Sequence, residues 1–171
     1  MDFRNVQLPR EIHSGSGIIE EIGDVCDNLL PKKDVTILTG PTTKKIAGNH
    51  VIEILKESNY EISEITVNLA TEESVEEVVK DSKDSSAILG VGGGKVIDVA
   101  KMASTINHIP LISVPTTAAH DGMASPRASI KNDKGTVSLK ANAPFALIAD
   151  TTIISQAPYR FTAAGFSDII S

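Results

Sequence analysis

Short apolar runs alternate with amphipathic stretches along most of this sequence, and that alternation restricts the fold more than any other feature. The runs are Val35–Leu38, Ile62–Val67, Ala87–Val91, Leu111–Val114 and Phe145–Ala149. Each is short and apolar at consecutive positions, as a strand covered on both faces requires. Between them, Lys44–Ser58, Glu73–Lys80 and Lys95–Thr105 carry apolar residues at three- and four-residue spacing, the stripe of a helix lying on a core. Strand, helix and strand in that order call for parallel pairing, because the helix supplies the crossover. Ligands of such sheets collect at the carboxyl ends of the strands.

Two segments depart from the alternation. Arg127–Lys140, "RASIKNDKGTVSLK", sets Asn132, Asp133, Lys134 and Gly135 between two alternating runs and reads as a β-hairpin inserted before the last strand. The final stretch, "ISQAPYRFTAAGFSDIIS", reads as helices that lead into new structure and stop within an apolar segment. The expected fold class is α/β: a Rossmann-like parallel sheet with helices on both faces and an inserted β-hairpin, followed by the start of a helical second domain. The boundaries follow as an α/β unit over 1–154 and the beginning of a truncated helical unit over 155–171.

The 171 residues are enough for one sizeable core. Hydrophobic residues make up 41% and charged ones 22%, which places the chain among globular proteins rather than disordered ones. No run approaches the roughly 20 apolar residues of a membrane span, and "MDFRNVQLPREIH" lacks the pattern of a signal peptide. A cytoplasmic protein without membrane insertion is expected. The net charge of -6 comes without a basic cluster able to follow a phosphodiester backbone, so nucleic acid is not an expected partner. Cys26 is the only cysteine, which rules out an intramolecular disulfide and a thiolate metal cluster. Of the histidines at 13, 50, 108 and 120, only His120 lies in a glycine-bounded loop beside an acid, Asp121.

"ILGVGGGKVIDVAK", Ile88–Lys101, places three consecutive glycines between a strand and a helix. It is not a Walker loop, which would need glycine at Leu89 and a hydroxyl at Val96. Nor is it the usual dinucleotide fingerprint, since Lys95 stands where the last glycine of GxGxxG belongs. The physical mechanism survives these departures. Backbone N–H groups of Gly93, Gly94 and Lys95 fall at a helix N-terminus, where unpaired donors and the helix dipole favour a pyrophosphate. A tight strand-to-helix turn explains one or two glycines, but hardly three.

"ISVPTTAAHDGMASPRAS", Ile112–Ser129, follows the next strand and offers Thr116, Thr117, Ser125 and small residues at the same sheet edge. Asp121 within it either binds a substrate hydroxyl or caps a turn, and spacing alone does not decide between them.

"GGGKVIDVAK", followed by a strand ending in "VPTT" and later by a helical "GFSD", resembles the superfamily of iron-containing alcohol dehydrogenases, glycerol dehydrogenases and 3-dehydroquinate synthases. "PTTAAHDGMASPRASI" is similar to its archaeal sn-glycerol-1-phosphate dehydrogenase branch, which reduces dihydroxyacetone phosphate for ether-lipid synthesis. The resemblance spans essentially the whole chain. It implies that Gly92, Gly93, Gly94, Lys95, Val96, Ile97 and Asp98 receive the pyrophosphate and nicotinamide ribose of NADPH or NADH. Thr116, Thr117, Ala118, Ala119 and Ser125 would hold the nicotinamide half. Asp121 and Asp168 would touch a phosphorylated triose, with Asp168 also a Zn2+ ligand whose two histidine partners belong to a C-terminal domain outside these residues. Arg160 or Lys140 would recognise the substrate phosphate, and Lys44 or Lys45 would tolerate a 2′-phosphate beside Gly40. A homo-oligomer is a further expectation. A glycerol dehydrogenase, a dehydroquinate synthase or a non-catalytic nucleotide-binding fragment are the alternatives.

Overall fold

The computed structural model describes residues 7–170; residues 1–6 and 171, at the outer ends of the two expected units, lie outside the described residues. Six strands form one sheet: β1 (Glu11–Gly15), β2 (Asp34–Thr39), β3 (Glu61–Thr66), β4 (Ala87–Gly92), β5 (Leu111–Pro115) and β8 (Ala146–Asp150). Their order is β1-β8-β5-β4-β2-β3, and every neighbouring pair is parallel. The five expected runs each become a strand with ends within a residue of the reading. The inner strands β4 and β5 are buried at every position, which is why their sequences are continuous apolar runs rather than alternating ones. β1 is the strand that the alternation does not announce. Its sequence, EIHSG, lies at a sheet edge with every second residue exposed, so little apolar content marks it.

Helices cover both faces. α1 (Ile22–Leu29) and α2 (Asn49–Glu57) pack one face through Ile22, Cys26, Val51 and Leu55 against Val35, Leu89 and Ile112. α3 (Glu72–Asp81) and α4 (Gly94–Asn107) cover the other through Val75, Val78, Val99 and Ala103 against Leu38, Ile88 and Leu111. The single helix expected over Lys44–Ser58 starts as a π-turn, Lys44–Gly48, before α2. A Cβ on Gly48 would come within 2.6 Å of the Thr39 methyl, so this turn lies directly on the end of β2.

The hairpin forms as expected, from β6 (Arg127–Asn132) and β7 (Gly135–Lys140), antiparallel and separate from the main sheet. Gly135 takes φ 118°, a conformation that L side chains rarely adopt, and the Lys134 N–H donates to the Asn132 side chain at 2.9 Å to close the turn. Ala128 and Ile130 point inward and join the core of α3 and α4.

The chain leaves β2 outward to β3, then returns to the other side of β2 as β4 and continues to β5. The reversal leaves a crevice at the carboxyl ends of β2 and β4, where open α/β sheets receive ligands. Beyond β8 come α5 (Thr151–Ser155) and α6 (Tyr159–Ile170). Among the described residues no helix is long and apolar enough to cross a membrane.

Asp150 ties this last turn to the start of the fold. Its carboxylate accepts from the backbone N–H of Ile19 at 3.2 Å and from Thr152 and Ile153 at 2.8 and 3.3 Å. Burial opposes its charge, but backbone donors from Ile19, Ile153, Thr152 and Gly17 outweigh it and hold the carboxyl below its usual range. A depressed carboxylate contributes stability above its unfolded value, and that contribution is lost as pH falls through the folded value. Asp150→Ala is therefore expected to cost about 2 kcal/mol at pH 7 through the lost cap and an orphaned buried N–H. Urea unfolding at pH 7 and again near pH 3 checks this: the gap between wild type and variant should narrow at the lower pH.

Candidate functional site

A cleft of about 1110 Å³ opens at the carboxyl edge of the sheet. The loop after β2, Gly40–Thr43, forms one wall, and Asn68–Thr71 after β3 continues it. Gly93, Gly94 and Lys95 form the floor, Thr116, Thr117 and His120 a second wall, and Arg160 with Phe161 the far end. A separate hollow of about 820 Å³ lies near Lys33, Asp34, Asn59, Glu61 and Asp84, at the opposite edge of the sheet. No helix N-terminus of the crossovers faces that side, and two of its charged residues are already engaged outside the hollow, Asp34 with Ser86 and Lys33 with Asp27. The carboxyl-edge cleft is the chemically equipped one.

Its floor is built from missing side chains. A Cβ on Gly92 would meet Val96 Cγ2 at 2.8 Å, so this glycine serves close packing of strand against helix. A side chain on Gly94 would run into the imidazole of His120, which lies against that Cα. Gly93 differs: its nearest neighbour would be Thr117 Oγ1 at 3.6 Å, and the space beyond belongs to the cleft. Gly93 is the N-cap of α4 and supplies no side-chain hydrogen bond to it. Its carbonyl accepts from Val96 and Ile97, while the N–H groups of Gly94 and Lys95 have no intrahelical acceptor and are left to the cleft. Thr71 and Asp150, by contrast, cap α3 and α5 with their side chains.

The walls are tied to this floor. Thr43 Oγ1 accepts from Gly40 N–H at 2.8 Å and donates to the Val91 carbonyl at 3.1 Å, binding the β2 loop to the end of β4. Thr116 N–H donates to the Gly92 carbonyl at 3.0 Å. Thr116 Oγ1 is itself buried with no hydrogen-bond partner, at a residue that lines the cleft. An orphaned hydroxyl in such a place fits a bound polar group. His120 Nδ1 accepts from Gly122 N–H at 2.9 Å, so in the neutral ring the proton sits on Nε2, facing Gly94.

Beneath the walls lies a buried ion pair. Lys101 is completely buried, and its ammonium donates to the carbonyls of Gly122 at 2.5 Å and Arg127 at 2.6 Å, with Asp98 at 3.6 Å. Burial lowers the pKa of Lys101 and the Asp98 charge opposes it; burial raises Asp98, opposed chiefly by Lys101. Three acceptors around one nitrogen suit a protonated amine, so we take the pair as charged. Asp98 also accepts from Ser129 N–H at 3.2 Å, which anchors the hairpin to α4.

Of the residues singled out by sequence, Gly93, Gly94, Lys95, Val96, Asp98, Thr116, Thr117 and Ala119 line the cleft. Gly92, Ile97, Ala118, Ser125 and Asp121 lie outside its lining; Ile97 is a core residue at 2% exposure. Lys44 is engaged with Glu64 at 2.8 Å rather than turned to the cleft. Asp121 and Asp168 do meet: the Asp121 N–H donates to Asp168 Oδ2 at 2.9 Å. α6 reaches this loop because Gly165 has no side chain, and a Cβ there would strike the Ala118 carbonyl. Sequence reasoning missed the anchoring role of Lys101 and the wall formed by Ser129, Lys131 and Thr136. The inward pairing of Ala128 and Ile130 is the signal that points to that wall. Among the described residues no three His, Cys, Asp or Glu gather into a metal site, so Asp168 would need ligands from elsewhere.

The family model for iron-containing alcohol dehydrogenase matches residues 13–158. The chain belongs to the iron-containing alcohol dehydrogenase family. Among similar curated proteins, the glycerol-1-phosphate dehydrogenase [NAD(P)+] of Methanothermobacter thermautotrophicus is 52% identical over the whole chain, which covers 49% of that protein. That of Methanobrevibacter smithii is 47% identical, with the same coverage. The chain thus spans about half the length of these relatives. The fold is shared with a glycerol dehydrogenase from Schizosaccharomyces pombe, with a TM-score of 0.86 at 24% identity over 100% of this chain and 44% of that one. It is also shared with an NADH-dependent butanol dehydrogenase from Thermotoga maritima, with a TM-score of 0.85 at 25% identity over 99% of this chain and 50% of that one.

Lys101→Met tests the buried pair. It strands Asp98 beside an apolar side chain and frees the Gly122 and Arg127 carbonyls, so a loss of about 3–5 kcal/mol is expected in urea unfolding. Adding Asp98→Asn should recover part of that loss, giving the non-additivity of coupled neighbours.

Proposed function

We propose that this chain is the nucleotide-binding portion of an NAD(P)H-dependent reductase that converts dihydroxyacetone phosphate to sn-glycerol 1-phosphate. The observation that carries the proposal is the uncapped first turn of α4 opening, through Gly93, onto a cleft that also holds an orphaned Thr116 hydroxyl. A pyrophosphate suits the free N–H groups of Gly94 and Lys95, and the Thr116 hydroxyl suits a polar group of the nicotinamide half. Reduction of the ketone takes a hydride from the nicotinamide ring, which is the chemistry the cofactor supplies. The chain's own residues orient that cofactor along the carboxyl edge and bring the substrate loop at Asp121 against α6. The name of the similar curated proteins, glycerol-1-phosphate dehydrogenase, supports the triose phosphate as substrate.

Residues 1–154 form the dinucleotide-binding unit on this reading, and 155–171 begin a helical one. Zinc is the expected metal, with Asp168 supplying one oxygen and two imidazoles from outside these residues; the described residues alone do not assemble it. Arg160, at the far end of the cleft, is better placed than Lys140 to meet a substrate phosphate, since Lys140 does not line it. Gly40 leaves no acid at the end of β2 to repel a 2′-phosphate, so both coenzymes bind.

Gly93→Val separates binding from folding better than Gly94→Val, which would collide with His120. The Gly93 side chain would enter the cleft, so the NADPH dissociation constant should rise at least tenfold while circular dichroism and Tm stay close to wild type. Fluorescence titration checks it, and an unchanged dissociation constant would remove the glycine turn from the binding site.

A further inference from the structure

Loops at the sheet edge supply most of the cleft, but one wall comes from the hairpin. β6 alternates: Ala128 and Ile130 are each 1% exposed in the core, so Ser129 and Lys131 face the other way and line the cleft. Thr136, the register partner of Lys131 on β7, lines it too. The backbone here is held on two sides. Ser129 N–H donates to Asp98 at 3.2 Å, and Lys131 N–H donates to the Ala70 carbonyl at 2.8 Å, while Thr71 forms a parallel bridge with Lys131. Next to it, Asn132 Nδ2 donates to Glu72 at 3.2 Å. Lys131 is therefore an exposed side chain on a fixed stem, at the junction of the hairpin with the loop after β3. The cleft's charged lining is Lys95, Lys131 and Arg160 against Asp98 alone, and Asp98 already faces Lys101. In a chain of net charge -6, this one cleft is cationic.

We propose that Lys131 is a phosphate ligand of the bound dinucleotide, its ammonium meeting either the pyrophosphate or the 2′-phosphate of NADPH. The inference rests on the dinucleotide reading above and adds a residue to it. An ammonium on a flexible four-carbon stem is a point charge that settles on phosphate oxygens without a fixed geometry. The hairpin, on this account, is a binding wall rather than a structural insertion.

Dissociation constants for NADPH and NADH, measured at low and high salt on the wild type, Lys131→Met, Lys131→Arg and the turn control Lys134→Met, test it. Lys131→Met should weaken NADPH about tenfold, the scale of one charge-assisted hydrogen bond, and flatten the salt dependence. Lys131→Arg should restore most of the affinity, Lys134→Met should change nothing, and Tm should hold for all three. Equal weakening of both nucleotides assigns the pyrophosphate, and weakening of NADPH alone assigns the 2′-phosphate; both support the proposal. If the Met variant melts early, Lys131→Gln carries the same comparison. A Lys131→Met protein that binds both nucleotides within twofold of wild type overturns the inference while leaving the dinucleotide reading intact. A wild type that binds neither nucleotide overturns both.

Discussion

The first turn of α4 carries backbone donors that the helix itself cannot satisfy, and much of the carboxyl edge is arranged around keeping them available. β4 brings the chain to that point as a fully buried strand, and Gly92 lets the helix pack closely on the strand it leaves. Gly93 keeps the space in front of the donors clear. His120 comes against Gly94 from the neighbouring loop, and no other residue type at 94 would allow it. A capping serine or aspartate at 93 would add helix stability, but it would occupy the acceptor site that a ligand needs.

Lys101 connects this turn to everything on its far side. It sits on the second turn of the same helix, yet its hydrogen bonds go to residues 21 and 26 positions further along the chain. One buried ammonium thus sets the loop that carries Asp121 and the entry to the hairpin, while its neighbour Asp98 holds the hairpin's Ser129. The Asp121 N–H in turn donates to the Asp168 carboxylate of α6. The cleft, the loop that carries Asp121 and the last helix are coupled through short polar contacts.

The sheet was legible because strands buried on both faces cannot hide their composition; Ala87–Val91 has no other reading. β1 was not, since an edge strand with alternate residues in solvent carries few apolar positions. α1 repeats Ile22, Val25, Cys26 and Leu29 at helical spacing, so it is readable in principle, but the strand before it, EIHSG, has too few apolar positions to mark the start of the alternation. The glycine turn was legible as a place of close approach because three consecutive glycines are hard to explain by a turn alone: packing against Val96 and His120 accounts for Gly92 and Gly94, and Gly93 faces the cleft. The role of Lys101 was not. Its spacing from Asp98 announces a pair on one helix face, but whether that pair meets ligand, solvent or distant carbonyls depends on tertiary contacts that no local pattern encodes. Gly165 stands between these cases: a glycine inside a helix costs about 1 kcal/mol relative to alanine, and here that cost accompanies a close approach to the Ala118 carbonyl.

Hydrogen exchange with and without saturating NADPH tests the central claim most directly, because it reads the backbone donors themselves. The account predicts slowed exchange at residues 93–98, 116–120 and 129–131, the floor and two walls of one cleft. Protection confined to residues 59–63 and 81–85 at the opposite edge, or no protection anywhere along the chain, would contradict it.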